Sequence, residues 1–189
     1  MYGSMDIASM FIKEGVIASV EERLPSSSSN PIFSMRKFRV TEDASVVEKL
    51  SEGETERKPR AFPYYLKDRP LVVLVNENSA SASEILTGAL SGRPNVMIVG
   101  GTTYGKGIGQ NYSEKLVGGN GVNVTSLRLY GPSGNFVGDG HNRRTGLYVD
   151  VPSYKQIPKP GVPDNQISEA KAIAKMMVET TPKPKHRDN

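Results

Sequence analysis

The 189 residues carry a formal net charge of +4 and 37% hydrophobic side chains, enough for one domain with a real core and thin for two. Cysteine is absent, which excludes disulfides, thiolate metal sites and cysteine nucleophiles. Lys and Arg are spread along the chain without aromatic interleaving, which argues against a nucleic-acid surface.

Asp6 to Ile12 puts Ile7, Met10 and Phe11 on one helical face, with Gly15 as its C-terminal cap. Val16 to Val20 reads as a strand, the serine-rich run Pro25 to Pro31 as a mobile surface loop, and Phe33 to Val40 as a hairpin partner of that strand. Charge dominates from Glu42 to Arg69, centred on Glu52 to Arg60, so 41–69 reads as a solvated loop insertion, with Tyr64 and Tyr65 as a possible substrate or partner contact. No stretch approaches the roughly 20 apolar residues that span a bilayer, and residues 1–6 lack the charged start and apolar run of an export signal.

The stretch from Leu71 to Gln110 holds the chemistry. Leu71 to Val75 is a wholly apolar, β-branched run that predicts a strand buried on both faces. Ser79 or Ser81 can then cap a helix running through Leu90. If Ser81 is the cap, Glu84 completes a capping box, and the serine sits at the positive end of a helix beside free backbone N–H groups that can hold an oxyanion. Arg93 and Pro94 break the helix, Val96 to Val99 is a second buried strand, and Gly100 to Gly107 is a loop around Lys106. Two such strands ending side by side put both loops at their carboxyl edge, where a serine and a lysine can meet.

A serine hydroxyl needs a base, and a lysine amine, with an unperturbed pKa near 10.4, becomes one only when burial disfavours its ammonium. Gly100-x-x-x-x-Gly105-Lys106 nearly spells a phosphate-binding loop. Gly107, however, stands where the magnesium-binding Ser or Thr belongs, and Ile108 to Asn111 is a poor helix start. The two histidines, His141 and His186, have no partners at metal-ligand or triad spacing. No metal site is read.

Further on, Val122 to Tyr130 alternates with period two and Gly131 to Gly134 is a tight turn. Pro158, Pro160 and Pro163 make a rigid connector, Ile167 to Val178 an amphipathic helix started by Asp164 or Asn165, and 180–189 a disordered tail.

The text VLVNENSASASEI followed by IVGGTTYGKGIGQ resembles the carboxyl-terminal processing (tail-specific) proteases, serine peptidases with a Ser/Lys dyad. By position, the resemblance implies Ser81 as nucleophile, Lys106 as general base 25 residues later, and Gln110 as the residue that supports the lysine by accepting a hydrogen bond from its amine. For the oxyanion, the helix start offers the N–H of Ala82. A second donor belongs to a glycine-rich turn upstream, for which Gly3 is the residue left here.

The resemblance further implies an α/β fold, a mixed β-sheet flanked by helices of ClpP/crotonase-like kind, with 1–157 as part of a catalytic domain and 158–179 as connector and C-terminal helix. It implies no cofactor, and polypeptide substrates with exposed apolar C-terminal tails. It also implies an extracytoplasmic setting for the full-length form, with an export signal, a PDZ domain or a membrane-associating segment upstream. The oligomeric state is left open. The sequence-level alternative is a non-catalytic peptide-binding relic or a truncated fragment of such a protease.

Overall fold

In the computed structural model the described residues are 2–26, 29–63, 66, 69–113, 117–138, 145–154, 161 and 164–180. Tyr64, Tyr65, His141, His186, the three connector prolines and the 181–189 tail therefore lie outside them. The chain begins with helix α1 (Tyr2–Ser9) and continues through strands β1 (Gly15–Leu24), β2 (Ile32–Val40), β3 (Ala44–Lys49) and β4 (Glu54–Pro59). Then follow β5 (Leu71–Val75), α2 (Ala82–Leu90), β6 (Val96–Gly100), β7 (Ile108–Ser113), β8 (Val122–Tyr130), β9 (Val151–Pro152) and α3 (Asn165–Thr180).

The α/β class holds, and the strands divide between two sheets. One is six-stranded in the order β4-β3-β2-β1-β8-β7, with every pair antiparallel; the other is parallel, in the order β5-β6-β9. The expected hairpin forms, running from Gly15 opposite Val40 to Leu24 opposite Ile32. Met5, Ala8 and Ile12 from the first helix and its exit, Ile17 and Val20 from β1, Phe38 and Val40 from β2, Ile85 and Leu90 from α2, and Ile98 from β6 share one apolar core.

Three expectations are corrected. The run 41–69 is not a loop from 44 to 59: β3 and β4, joined by a tight turn, extend the sheet, and Ala44 and Val46 are buried although β4 is exposed throughout. Ion pairs such as Arg39 with Glu48 and Lys49 with Glu54 cross between neighbouring strands, so these charges decorate a ladder.

The first helix is the second. It ends at Ser9 and buries Met5, Ala8 and Ser9, leaving Ile7 45% exposed. Its exit is set by Arg60, whose guanidinium donates to the carbonyls of Ser9, Ile12 and Lys13, and also to Thr41 and Phe62. A cation there satisfies carbonyls that a helix end leaves unpaired.

The third correction concerns β5, which is an edge strand among the described residues. Val75 is buried, but Leu74 is 40% exposed, so the run is not covered on both faces. The second strand, β6, matches expectation, with Val96, Ile98 and Val99 buried. The C-terminal helix starts as read, with Asp164 Oδ1 accepting from the N–H groups of Gln166 and Ile167.

Candidate active site

β5 and β6 run parallel, from Leu71 opposite Val96 to Val75 opposite Gly100, so both end at the same edge of the sheet. They approach so closely there that a Cβ on Gly100 would lie 1.9 Å from the Val75 carbonyl oxygen. Only glycine fits. After Val75 the chain closes a turn in which Ser79 N–H donates to the Asn76 carbonyl at 2.9 Å and Ser79 Oγ receives the Asn76 N–H at 3.1 Å. The Ser79 carbonyl in turn accepts from Tyr104 N–H at 2.9 Å, which fastens this turn to the loop after β6.

Ser81 follows at φ 56° and ψ −111°, the one non-glycine residue with positive φ among the described residues. Such a conformation costs an L-residue on the order of 1–3 kcal/mol and persists only where the surroundings enforce it. What enforces it is Glu84. The capping box expected from Ser81 and Glu84 is present, and the Glu84 carboxylate receives the Ser81 N–H at 2.9 Å.

That carboxylate does more than cap. It is 1% exposed, and it also accepts from Thr103 Oγ1 at 2.6 Å, Gly105 N–H at 2.6 Å and Lys106 N–H at 2.8 Å. Four donors converge on its two oxygens. One side chain thus fixes the backbone of Ser81 and that of Lys106 against each other. Thr103 is held from behind, its Oγ1 accepting the Leu147 N–H at 2.7 Å. Gly146 gives that contact room, since a Cβ there would lie 2.0 Å from the Thr103 carbonyl oxygen.

The side chains that carry the chemistry are less enclosed. Ser81 and Ala82 are half-buried at the start of α2, whereas Lys106 and Gln110 are exposed. The ammonium burial expected for Lys106 is not provided by the described residues. No hydrogen bond joins the Ser81 hydroxyl, the Lys106 amine and the Gln110 amide to one another. Gly3 lies in the first turn of α1, and a Cβ built on it would meet nothing within 4 Å, so no neighbouring element closes on it. The phosphate-loop pattern fails structurally as well, because Lys106 leads into strand β7 and not into a helix.

Sequence reasoning gave Glu84 a capping role and missed the rest of its partners. No sequence signal pointed to them, since a glutamate at the third position of a capped helix is ordinary in solvent. Among the described residues no group of His, Asp and Glu is arranged to hold a metal ion.

Comparison with known proteins bears on the same stretch. The model of peptidase family S41 matches residues 1–151. Over 90 residues the chain is 40% identical to a carboxyl-terminal-processing protease of Synechocystis sp., an alignment covering 48% of this chain and 21% of that protein. It is 30% identical over 125 residues to a CtpA-like serine protease of Staphylococcus epidermidis, covering 65% of this chain and 25% of that one. Among solved structures, the photosystem II D1 C-terminal processing protease superposes with a TM-score of 0.51 at 25% identity, over 81% of this chain and 31% of that chain. The matched region thus spans a fifth to a quarter of these curated relatives.

Proposed function

The chain belongs to peptidase family S41, and from that premise we propose that it is the core of a serine endopeptidase that hydrolyses polypeptides near apolar C-terminal tails, outside the cytoplasm. The observation that carries the reading is the Glu84 carboxylate, which receives both the Ser81 N–H and the Lys106 N–H and so sets a strained serine beside a lysine loop.

Ser81 Oγ attacks the scissile carbonyl carbon while the Lys106 amine takes its proton. The oxyanion is held by the Ala82 N–H at the start of α2, with a second donor from Gly3 or from chain upstream. Collapse of the tetrahedral intermediate breaks the C–N bond, and Lys106 returns the proton to the leaving amine. A water then gives its proton to Lys106 as it attacks the acyl ester, and Ser81 Oγ leaves with that proton. Gln110 accepts a hydrogen bond from the amine and keeps its lone pair aimed at Ser81.

Cleavage of an unfolded test protein provides the test. Ser81→Ala is expected to abolish cleavage with circular dichroism unchanged, and Lys106→Arg to be as inactive as Lys106→Ala, because a guanidinium stays protonated. Full activity in the Ser81→Ala protein would overturn the reading. One observation favours a second reading, a peptide-binding relic without catalysis: Lys106 is exposed. A chain that binds peptide yet shows no labelling of Ser81 by a serine-directed phosphonate would establish that alternative.

A further inference from the structure

The two edges of the six-stranded sheet are built differently. β4 is guarded by Glu54, Glu56, Arg57 and Lys58 and ends at Pro59, all exposed, a composition that repels an incoming strand. β7, at the opposite edge, has no charged residue and no proline, and among the described residues it pairs only with β8. It begins two residues after Lys106 and contains Gln110.

Its surroundings are open as well. β1 pairs with β8 only from Leu127 to Tyr130, so among the described residues the half of β8 that faces Gln110 to Ser113 pairs with no other strand, and Val122 and Val124 there are 40% and 47% exposed. Ile108 is 36% exposed. A bulge between Gly109 and Gln110 breaks the register at this point, a device that re-aims side chains and is common beside active sites.

We propose that the β7 edge is the substrate rail: an extended polypeptide adds to it as a further strand beside Ile108 to Asn111, main chain to main chain, and is carried to Ser81. This rests on the reading of Ser81 and Lys106 as the catalytic pair. Strand addition draws its affinity from backbone hydrogen bonds, which every sequence offers, and its preferences from alternate side chains. Ile108 supplies apolar surface for the latter, and Val122 and Val124 on β8 continue that surface one strand further in. The same docking covers Lys106, which no described residue does. Water is then excluded from the amine by the substrate on which it acts, and a chain without substrate holds its base idle.

Fluorescence anisotropy tests the rail with the Ser81→Ala protein and a labelled short peptide of alanine, leucine and serine, competed by variants each N-methylated at one amide. An added strand turns every second N–H toward β7. Methylation should therefore weaken competition about tenfold or more at alternate positions over a stretch of roughly four residues and leave the intervening ones unaffected. A flat profile, or no binding of the parent peptide, overturns the proposal. Sedimentation of the same samples supplies a further check: a dimer that excess peptide does not dissociate would assign the edge to a second copy of the chain and sink the rail. Because binding to the Ser81→Ala protein needs no catalysis, a wild-type chain that fails to cleave would count against the peptidase reading and leave the result of the methylation scan standing.

Discussion

Two side chains decide the geometry of the candidate site, and their roles separate by substitution. Glu84 meets four donors with two oxygens. In Glu84→Gln one oxygen is replaced by an NH2 that faces donors, leaving at least two of them unpaired in a buried setting. The expected loss is about 2–4 kcal/mol, against roughly 1–2 kcal/mol for Thr103→Val, which removes one donor to Glu84 and leaves the Leu147 N–H without its acceptor. Urea unfolding of the two variants checks the order, and equal losses would mean that the Glu84 contacts are not cooperative. Ser81 is tested by comparing two replacements that both lack the hydroxyl. At φ 56° glycine is at ease and alanine is not, so Ser81→Gly should be more stable than Ser81→Ala by about 1 kcal/mol, the relief of strain exceeding the entropy that glycine adds to the unfolded chain. Alanine matching or exceeding glycine would show that the serine turn stores no strain. The conformation of Ser81 was not readable beforehand. A capping serine is ordinary, and the Glu84 carboxylate that enforces the strain is itself fixed by Thr103, Gly105 and Lys106, about twenty positions further along the chain.

At the scale of elements, sequence patterns spoke clearly about which segments form strands and helices and less clearly about which faces are buried: β5 leaves Leu74 exposed, and the first four residues of β8 are exposed on both faces. The apolar runs of β5 and β6, the cap at Asp164 and the alternation of β8 all predict what forms, since each is settled within a few residues. The charged run 41–69 misled because β3 and β4 lie at the sheet's far edge, where a strand shows water its side chains and looks like loop. The same segment supplies Arg60, whose five carbonyl acceptors lie on the exit of α1, after β2 and just past Arg60 itself. Its removal should loosen α1, which packs against α2. Arg60→Ala is predicted to cost about 2–4 kcal/mol in thermal or urea unfolding, and Arg60→Lys to recover less than half, because an ammonium cannot reproduce a planar five-donor fork. Full rescue by lysine would reduce the contact to simple charge at a helix end. The misjudged face of α1 has the same origin: the helix stops at Ser9 where that guanidinium collects its carbonyls, so Met10 and Phe11 never join the helical stripe.

For the molecule as a whole, the parallel sheet and the Glu84 anchor position the backbones of Ser81 and Lys106 within these 189 residues, whereas cover for Lys106 is not supplied by the described residues and the second oxyanion donor rests on Gly3 alone. Gly3 sits in the first turn of α1 with open space around it. One oxyanion donor is worth about 10²- to 10³-fold in rate. The chain is therefore expected to fold, to react with a serine-directed phosphonate at Ser81 slowly, and to cleave peptides poorly. Relatives more than twice as long include chain that this sequence does not span, and the family resemblance puts a glycine-rich turn there. Fusing that turn ahead of Met1 should accelerate both phosphonate labelling and peptide cleavage, with labelling read by mass at Ser81 and folding by circular dichroism. Equal rates with and without the fusion would mean that Gly3 suffices or that the oxyanion is held elsewhere. Labelling absent from both folded forms would mean that the Ser81 hydroxyl is never activated, whatever precedes it.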